Sequence, residues 1–420
     1  MSRIICEGVD GSMRALPSPQ HSASAVMLAS MTGGACRIRR PSLDKDLIVL
    51  LEGLRAMGLE ATLHDGDLIT EAAEMGVTAD RVDVKGSESA FCLLSALSTS
   101  LPRRIIVDGA IPSRFPMRSW VNALLNLGAK LEFPRDDWKL PLTIRGPPTN
   151  HMTYLPGDSP NLLFLSILLS TLNGVLPARI EAVGPKPDQL LHPCDAELIS
   201  QFGVRVESTS RVLKNPGNQS CRPADVAVPS DERVSDFLAC LGLAHGRLRI
   251  SDVSMAPPLQ LRMAEAGLDI CYEDGVMEAM RTEPGEISLD LRGCLYSVPM
   301  AMVTASSWPE GARLQIGARG SSGREGESLQ GCMSMLQSMG CDARLEGEEV
   351  LVPGAELGEY SAKLRGDEDD LAILLAATLS SKVELDGLFR IDESYPGLLS
   401  GLSALGLELP SWEEPRVPLF

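Results

Sequence analysis

Two segments carry residue types that could bind a charged group. The first is a glycine-rich run, Gly317-Ala-Arg-Gly-Ser-Ser-Gly-Arg-Glu-Gly326, before a predicted helix whose N-terminus could hold an anion. It lacks the Gly-Lys-Ser/Thr ending of a phosphate-binding P-loop, so we predict a flexible strand-to-helix loop. The second is Asp367-Glu-Asp-Asp370, which could bind a cation. Acidic residues also stabilise the N-terminus of a helix, and we predict that role here.

The histidines and cysteines show no spacing typical of a metal site. The five histidines are isolated in the sequence, and the ten cysteines include no Cys-x-x-Cys pair. We therefore predict no metal site and no bound cofactor. Cysteines within apolar segments, such as Cys92 and Cys240, indicate free and partly buried thiols in a reducing cytoplasm.

The charge and hydropathy of the chain exclude several classes of partner. Its 38 Lys and Arg against 56 Asp and Glu give a net charge of −18 over 420 residues. A field of that sign repels nucleic acid and anionic membranes. No apolar run reaches the length of a membrane span, and the N-terminus has no secretory signal pattern. We predict a cytoplasmic protein with no nucleic-acid or membrane partner.

Six repeats of about 70 residues account for nearly the whole chain. In each repeat an apolar helix end is followed by glycine and then by a strand with alternating polarity. Glycine suits that position because it adopts the left-handed conformation without a Cβ clash. An apolar helical run before a short strand lies upstream in each repeat, as where Leu162–Leu172 precedes Ala178–Ala182. The six glycines are Gly58, Gly128, Gly203, Gly267, Gly340 and Gly406.

Six such units fit two cores of three units each. Helices such as Leu162–Leu172 are apolar most of the way round, so we expect them in the centre with the sheets outside. A polar stretch rich in proline, Leu213–Pro229, predicts a linker after the third unit.

The repeat pattern resembles the EPSP synthase family of enolpyruvyl transferases. Local segments carry the resemblance, among them Asp108-Gly-Ala-Ile-Pro-Ser-Arg-Phe-Pro-Met117 and Ser394-Tyr-Pro-Gly397. The resemblance implies a two-globule inside-out α/β barrel of six βαβα-type units with buried helices. It implies one globule of residues 17–225 and another of residues 1–16 plus 226–420. The active site would lie in the cleft between the globules, and we expect a monomer.

The resemblance also implies transfer of an enolpyruvyl group from phosphoenolpyruvate to the hydroxyl of shikimate 3-phosphate. Arg and Lys side chains are needed to neutralise the phosphates and carboxylates of these substrates. A carboxylate must also accept the proton of the acceptor hydroxyl.

Several positions that the resemblance assigns to this chemistry hold other residue types. Pro19 and Glu393 stand where the family has lysine, and Tyr296 stands where it has the catalytic aspartate. Phe91 and Phe115 stand at arginine positions, and Ser24 stands at a third. The candidates that remain are Arg324 and Glu325 for catalysis, and Ser22, Ser24, Arg114 and Lys186 for substrate binding.

Three functions are therefore open. Our main interpretation is a degenerate homologue with lost or much reduced carboxyvinyl transfer, retained to bind a small molecule in the cleft or a protein partner. The first alternative is a divergent but active 3-phosphoshikimate 1-carboxyvinyltransferase of aromatic amino-acid biosynthesis. The second is a different enzyme that uses a less anionic ligand, with His21, Ser22, Tyr296 and Glu325 as candidate groups.

Overall fold

A computed structural model describes residues 3–71, 79–135, 137–184, 189–318, 323–380 and 382–412. A short 3-10 helix spans Leu295–Ser297. The α-helices are α1 Pro19–Ser30, α2 Lys45–Ala56, α3 Glu88–Ser100, α4 Met117–Asn126, α5 Asn161–Thr171, α6 Pro193–Gln201, α7 Glu232–His245, α8 Pro258–Glu265, α9 Val298–Ser306, α10 Gly323–Ser338, α11 Asp370–Leu379, α12 Phe389–Ser394 and α13 Leu398–Ala404.

The strands are short and distributed along the whole chain. They are β1 Val9–Arg14, β2 Cys36–Arg39, β3 Ala61–His64, β4 Asp67–Thr70, β5 Arg81–Asp83, β6 Arg104–Asp108, β7 Lys130–Glu132, β8 Leu142–Arg145, β9 Met152–Pro156, β10 Ala178–Val183, β11 Glu207–Ser208, β12 Val212–Asn215, β13 Asp225–Ala227, β14 Gly246–Ser251, β15 Ile270–Glu273, β16 Val276–Met280, β17 Ile287–Asp290, β18 Ala312–Gln315, β19 Arg344–Glu346, β20 Glu349–Val352, β21 Tyr360–Lys363 and β22 Val383–Asp386.

The chain divides into two compact units. The 17–228 unit contains β2 to β13 and α1 to α6, and the 229–416 unit contains the later elements together with β1 from residues 1–16. Each unit has a single extensive cluster of buried apolar side chains among its described residues.

Five sheets share one topology, which is the structural counterpart of the sequence repeat. In the sheet ordered β5-β6-β8-β7, the first two strands are parallel and the last two form an antiparallel hairpin that pairs with β6. The same pattern occurs in β13-β2-β4-β3, β9-β10-β12-β11, β1-β14-β16-β15 and β17-β18-β20-β19. The sixth repeat has the parallel pair β21-β22 and an isolated bridge between Ile5 and Glu408.

The first strand of two sheets comes from a distant part of the sequence. β1 pairs in parallel with β14, from Val9 with Gly246 to Arg14 with Ser251. β13 pairs in parallel with β2, where Val226 lies opposite Ile38. The 229–416 unit is therefore completed by a strand from residues 1–16, and the 17–228 unit by a strand from the end of its own stretch of sequence.

The predicted burial of the apolar helices is confirmed. α3 packs against α1 and α5 in the 17–228 unit, and α7, α9 and α11 pack against one another in the 229–416 unit. In α5 every residue from Leu163 to Thr171 is buried, so the helix has no solvent face for most of its length. The expected inside-out α/β architecture is thus present. All six repeat glycines have positive φ, between 80° and 109°, as their position after a helix requires.

The predicted linker is wrong in part, because residues 213–229 contribute to two sheets. Leu213 pairs with Ile180 in β12, and the residues of β13 pair with β2. The many prolines and glycines of this stretch are typical of loops. Strands of only three or four residues cannot be recognised among them from the sequence. None of the described helices is both long enough and apolar enough to span a membrane.

Candidate functional site

The hydroxyl group of Ser22, in helix α1, forms hydrogen bonds within the protein. Ser22 is fully buried, and its Oγ donates to the carbonyl oxygen of Ser18 over 2.7 Å. The same oxygen accepts the backbone N–H of Ser42 over 2.8 Å. Pro19 begins the helix, where its missing N–H costs no hydrogen bond. Ser22 therefore connects the first turn of α1 to the loop before α2.

Ser24 bonds to a buried acid of α6. Its Oγ lies 3.1 Å from Oδ1 of Asp195 and 3.1 Å from the carbonyl oxygen of Gln20. Asp195 is only 2% exposed, and its Oδ2 accepts a hydrogen bond from Nε2 of Gln20 over 3.2 Å. A hydroxyl and an amide, both neutral, thus donate to this carboxylate at the place where the resemblance puts a family arginine.

Three side chains that can ligate a metal lie beside Asp195. One ligand atom from each of His21, His192 and Cys194 lies within 4.8 Å of the other two. His21 is buried and the other two are half-buried. The cluster is hard to recognise from sequence, because His21 belongs to α1 whereas His192 and Cys194 lie at the start of α6. Only the pair His192-x-Cys194 is local.

The two phenylalanines at family arginine positions contact each other. The rings of Phe91 and Phe115 meet edge to face with centroids 5.2 Å apart, and both are buried. The neighbouring Arg114 points elsewhere, since its Nε lies 3.3 Å from Oε1 of Glu88 and its side chain is 63% exposed. The predicted binding residue Lys186 lies outside the described residues.

In the 229–416 unit, Tyr296 belongs to a hydrogen-bonded and ion-paired group. Its hydroxyl donates to Oε2 of Glu232 over 3.1 Å, and the Arg233 guanidinium lies 5.8 Å from its ring centroid. Nη1 of Arg233 in turn lies 2.5 Å from Oε2 of Glu368. Burial, with the charges of Asp236 and Glu232, raises the pKa of Tyr296 above its usual range. Tyr296 is thus a hydrogen-bond donor at neutral pH.

Behind Tyr296 lies a carboxyl group with no exposure to solvent. Asp236 of α7 accepts hydrogen bonds from Ser297 Oγ at 2.5 Å and from Gln260 Nε2 at 2.8 Å. All three residues are buried. Burial raises the pKa of Asp236 to about 7, against the lowering effect of the two hydrogen bonds. Nothing in the sequence marks this residue, which sits in an apolar helical run.

The predicted catalytic pair lies in the first turn of α10. Glu325 is exposed there, and the side chain of Arg324 is outside the described residues. Glu393 is half-buried near the end of α12. The acidic run 367–370 does start a helix, because Asp370 is the first residue of α11 and accepts the backbone N–H groups of Arg365 and Gly366.

Comparison with known proteins defines the family. A model of the EPSP synthase (3-phosphoshikimate 1-carboxyvinyltransferase) family matches residues 5–402. The chain belongs to the EPSP synthase family. Within the family it is 24% identical to the 3-phosphoshikimate 1-carboxyvinyltransferase of Aeropyrum pernix, over 95% of this chain and 94% of that protein. It is 23% identical to the enzyme of that name from Methanocorpusculum labreanum, over 96% and 97%.

Solved structures share the fold of this EPSP synthase-family chain. The EPSP synthase of Acinetobacter baumannii superposes with a TM-score of 0.81 at 16% identity, covering 98% of this chain and 99% of that one. The enolpyruvyl transferase NikO of Streptomyces tendae superposes with a TM-score of 0.76 at 15% identity, covering 99% of each.

Proposed function

We propose that this EPSP synthase-family protein has lost most or all of its carboxyvinyl transfer activity and is retained as a binding or partner module. One observation carries the proposal. The side chains at the family's anion-binding positions contact other groups of the protein. Phe91 packs against Phe115, Ser24 donates a hydrogen bond to Asp195, and Ser22 accepts one from the backbone of Ser42. Each missing charged hydrogen bond weakens binding of a phosphate or carboxylate by about 1.5–3 kcal/mol.

The two phenylalanines support this proposal because they replace charges with apolar packing. Phe91 is 0% and Phe115 is 6% exposed, so an arginine at either position would be desolvated. A buried cation without a partner is strongly destabilising. Apolar side chains at both buried positions are expected when selection for anion binding has ended.

Tyr296 supports the proposal on the side of proton transfer. A general base must be deprotonated near the working pH. The pKa of Tyr296 is raised by its burial and by nearby carboxylates, and its hydroxyl donates to Glu232. A phenol in this state does not accept the proton of an incoming hydroxyl group.

A second candidate is a divergent, active 3-phosphoshikimate 1-carboxyvinyltransferase. It is favoured by the similarity to proteins of that name, which extends over 95% or more of the chain. The relatives argue for this candidate more directly than for the first, whereas the side chains at the assigned positions argue against it. Under either candidate we propose a cytoplasmic monomer that binds a small molecule or, for the module, a protein.

Calorimetry and a phosphate-release assay separate the two candidates. The purified chain is titrated with phosphoenolpyruvate and with shikimate 3-phosphate, and inorganic phosphate is measured when both are present. The Acinetobacter baumannii EPSP synthase serves as the active control. We expect no saturable heat and no phosphate release; saturable binding of both compounds with turnover would establish the second candidate instead.

A variant of four substitutions tests the assigned positions. Pro19→Lys, Ser24→Arg, Tyr296→Asp and Glu393→Lys are combined, and the same titrations are repeated. Recovered binding of either anion would support both the proposed loss and the residue assignment. A folded variant that still binds neither anion would show that these four positions do not account for the difference.

A further inference from the structure

The cluster of His21, His192 and Cys194 has the composition of a metal site. Two imidazoles and one thiol offer ligand atoms within 4.8 Å of one another. The imidazole rings are inclined at 53° with centroids 5.1 Å apart, so they converge and do not stack face to face. Tetrahedral Zn²⁺ with bonds of about 2.0–2.3 Å requires ligand atoms about 3.5 Å apart. The set must close by about 1 Å to reach this spacing, and Cys194, the ligand at the start of α6, is half-buried.

Nδ1 of His192 presents a lone pair of the kind that binds a metal ion. Its Nδ1 accepts the backbone N–H of Cys194 over 3.2 Å, which makes Nδ1 the unprotonated nitrogen of the neutral ring. A metal ion bound at Nδ1 would take the place of that hydrogen bond. Because His192 is the N-cap and Cys194 lies in the first turn of α6, the two ligands are held two residues apart on a rigid element.

Asp195 supplies the carboxylate that usually accompanies a metal-bound histidine. Its Oδ1 lies 3.8 Å from Nε2 of His21, and its position is fixed by Ser24 and Gln20. A carboxylate behind a ligating imidazole orients the ring and increases its basicity. The charges of Asp195 and of a Cys194 thiolate would together balance a divalent cation in this largely buried region.

We propose that His21, His192 and Cys194 bind a transition-metal ion of the Zn²⁺ class, with Asp195 behind His21. The ligand types decide the class of ion, because imidazole and thiolate select Zn²⁺ and similar borderline or soft ions over Mg²⁺ or Ca²⁺. Three protein ligands leave a fourth position for water or an exchangeable ligand. All ligands belong to the 17–228 unit. The proposal holds for either candidate function, because it does not depend on carboxyvinyl transfer.

Cobalt binding tests this site without measuring enzyme activity. Metal-free protein, prepared without a histidine tag, is titrated with Co²⁺ and followed by absorption spectroscopy. We expect one Co²⁺ per chain, with a thiolate-to-cobalt charge-transfer band and the intense visible bands of tetrahedral coordination. Addition of Zn²⁺ should remove both, and the Zn²⁺ should stay with the protein through dialysis, as measured by elemental analysis.

Substitutions assign the bands to the three ligands. Cys194→Ser should abolish the charge-transfer band, and His21→Gln and His192→Gln should each weaken Co²⁺ binding tenfold or more. Cys271→Ser is the matched control, because Cys271 is an exposed thiol of the 229–416 unit and should leave the spectrum unchanged. Circular dichroism establishes that each variant is folded.

Thermal unfolding gives a second readout that does not rely on the spectrum. Zn²⁺ should raise the melting temperature of the wild-type chain and of Cys271→Ser, but not that of Cys194→Ser, because an ion that binds only the folded state stabilises it. The proposal is overturned if the wild-type chain shows no thiolate band and retains no Zn²⁺. It is equally overturned if the band survives Cys194→Ser and disappears in Cys271→Ser.

Discussion

Asp236 should make the stability of the 229–416 unit depend on pH in the opposite direction to an ion-paired aspartate. Its pKa is about 7 in the folded protein, against an ordinary value of 3.8. Between these values the folded chain binds the proton more often than the unfolded chain, so stability is greatest below about pH 4 and falls as the pH rises to about 7. At about 1.4 kcal/mol per pKa unit, the loss is about 4 kcal/mol.

The substitution Asp236→Asn removes this titration while preserving size and hydrogen-bonding capacity. Ser297 can reverse its hydroxyl to accept from the new amide group, and Gln260 can continue to donate to the remaining oxygen. The unfolding free energy of the variant, relative to wild type, should therefore increase by about 4 kcal/mol as the pH rises from about 4 to about 7.

Urea unfolding followed by circular dichroism measures this difference at a series of pH values. Two transitions are fitted, because a chain of two units need not unfold in one step. Asp269→Asn is the control, since Asp269 is an exposed aspartate of the same unit. A difference between Asp236→Asn and wild type that stays constant across the window would refute the reasoning, whatever its size.

Three further outcomes follow from backbone and side-chain environments. Gly311→Ala should destabilise the chain by about 3 kcal/mol in urea unfolding, because its φ is 65° and a Cβ would lie 1.9 Å from a backbone carbonyl oxygen. Gly267→Ala, at φ 88° with no atom within 4 Å, should cost only about 1 kcal/mol, and equal losses would contradict the clash. Ser87→Ala should cost about 1 kcal/mol in the same assay, because the Ser87 hydroxyl caps α3 over 3.0 Å; no loss would mean that this cap contributes nothing. In alkylation followed by mass spectrometry, exposed Cys271 should react well before buried Cys240, whose pKa burial raises to about 12; equal rates would contradict the packing of α7.

The fold was largely predictable because its signals are local and repeated. Three signals recur in the six repeats: a glycine after a helix end, an apolar helix and a strand of alternating polarity. Each of these signals is carried by residues that are close together in the sequence. The exception is the last repeat, where Leu407 and Glu408 are followed by another leucine and Pro410. Proline donates no backbone hydrogen bond, and the strand expected there is reduced to one bridge with Ile5.

The candidate sites were less predictable because they depend on contacts between distant residues. The resemblance identified Phe91 and Phe115 as replaced positions, but not that the two rings contact each other. Ser24 and Asp195 meet only when α1 packs against α6, and the same packing brings His21 to His192. No spacing within a single segment encodes these pairs, so motif searches for a metal or acid–base site could not find them.

The parallel pairing of β1 with β14 has a consequence for synthesis of the chain. Val9 is made before its partner Gly246, which is added more than 200 residues later. At about 5–20 residues per second, this strand waits for about 10 to 50 seconds with its hydrogen-bonding edge unpaired. The short strand carries Asp10 and Arg14, and charged side chains on such an edge discourage pairing with other nascent chains. β1 is therefore made long before it can take its place in a sheet.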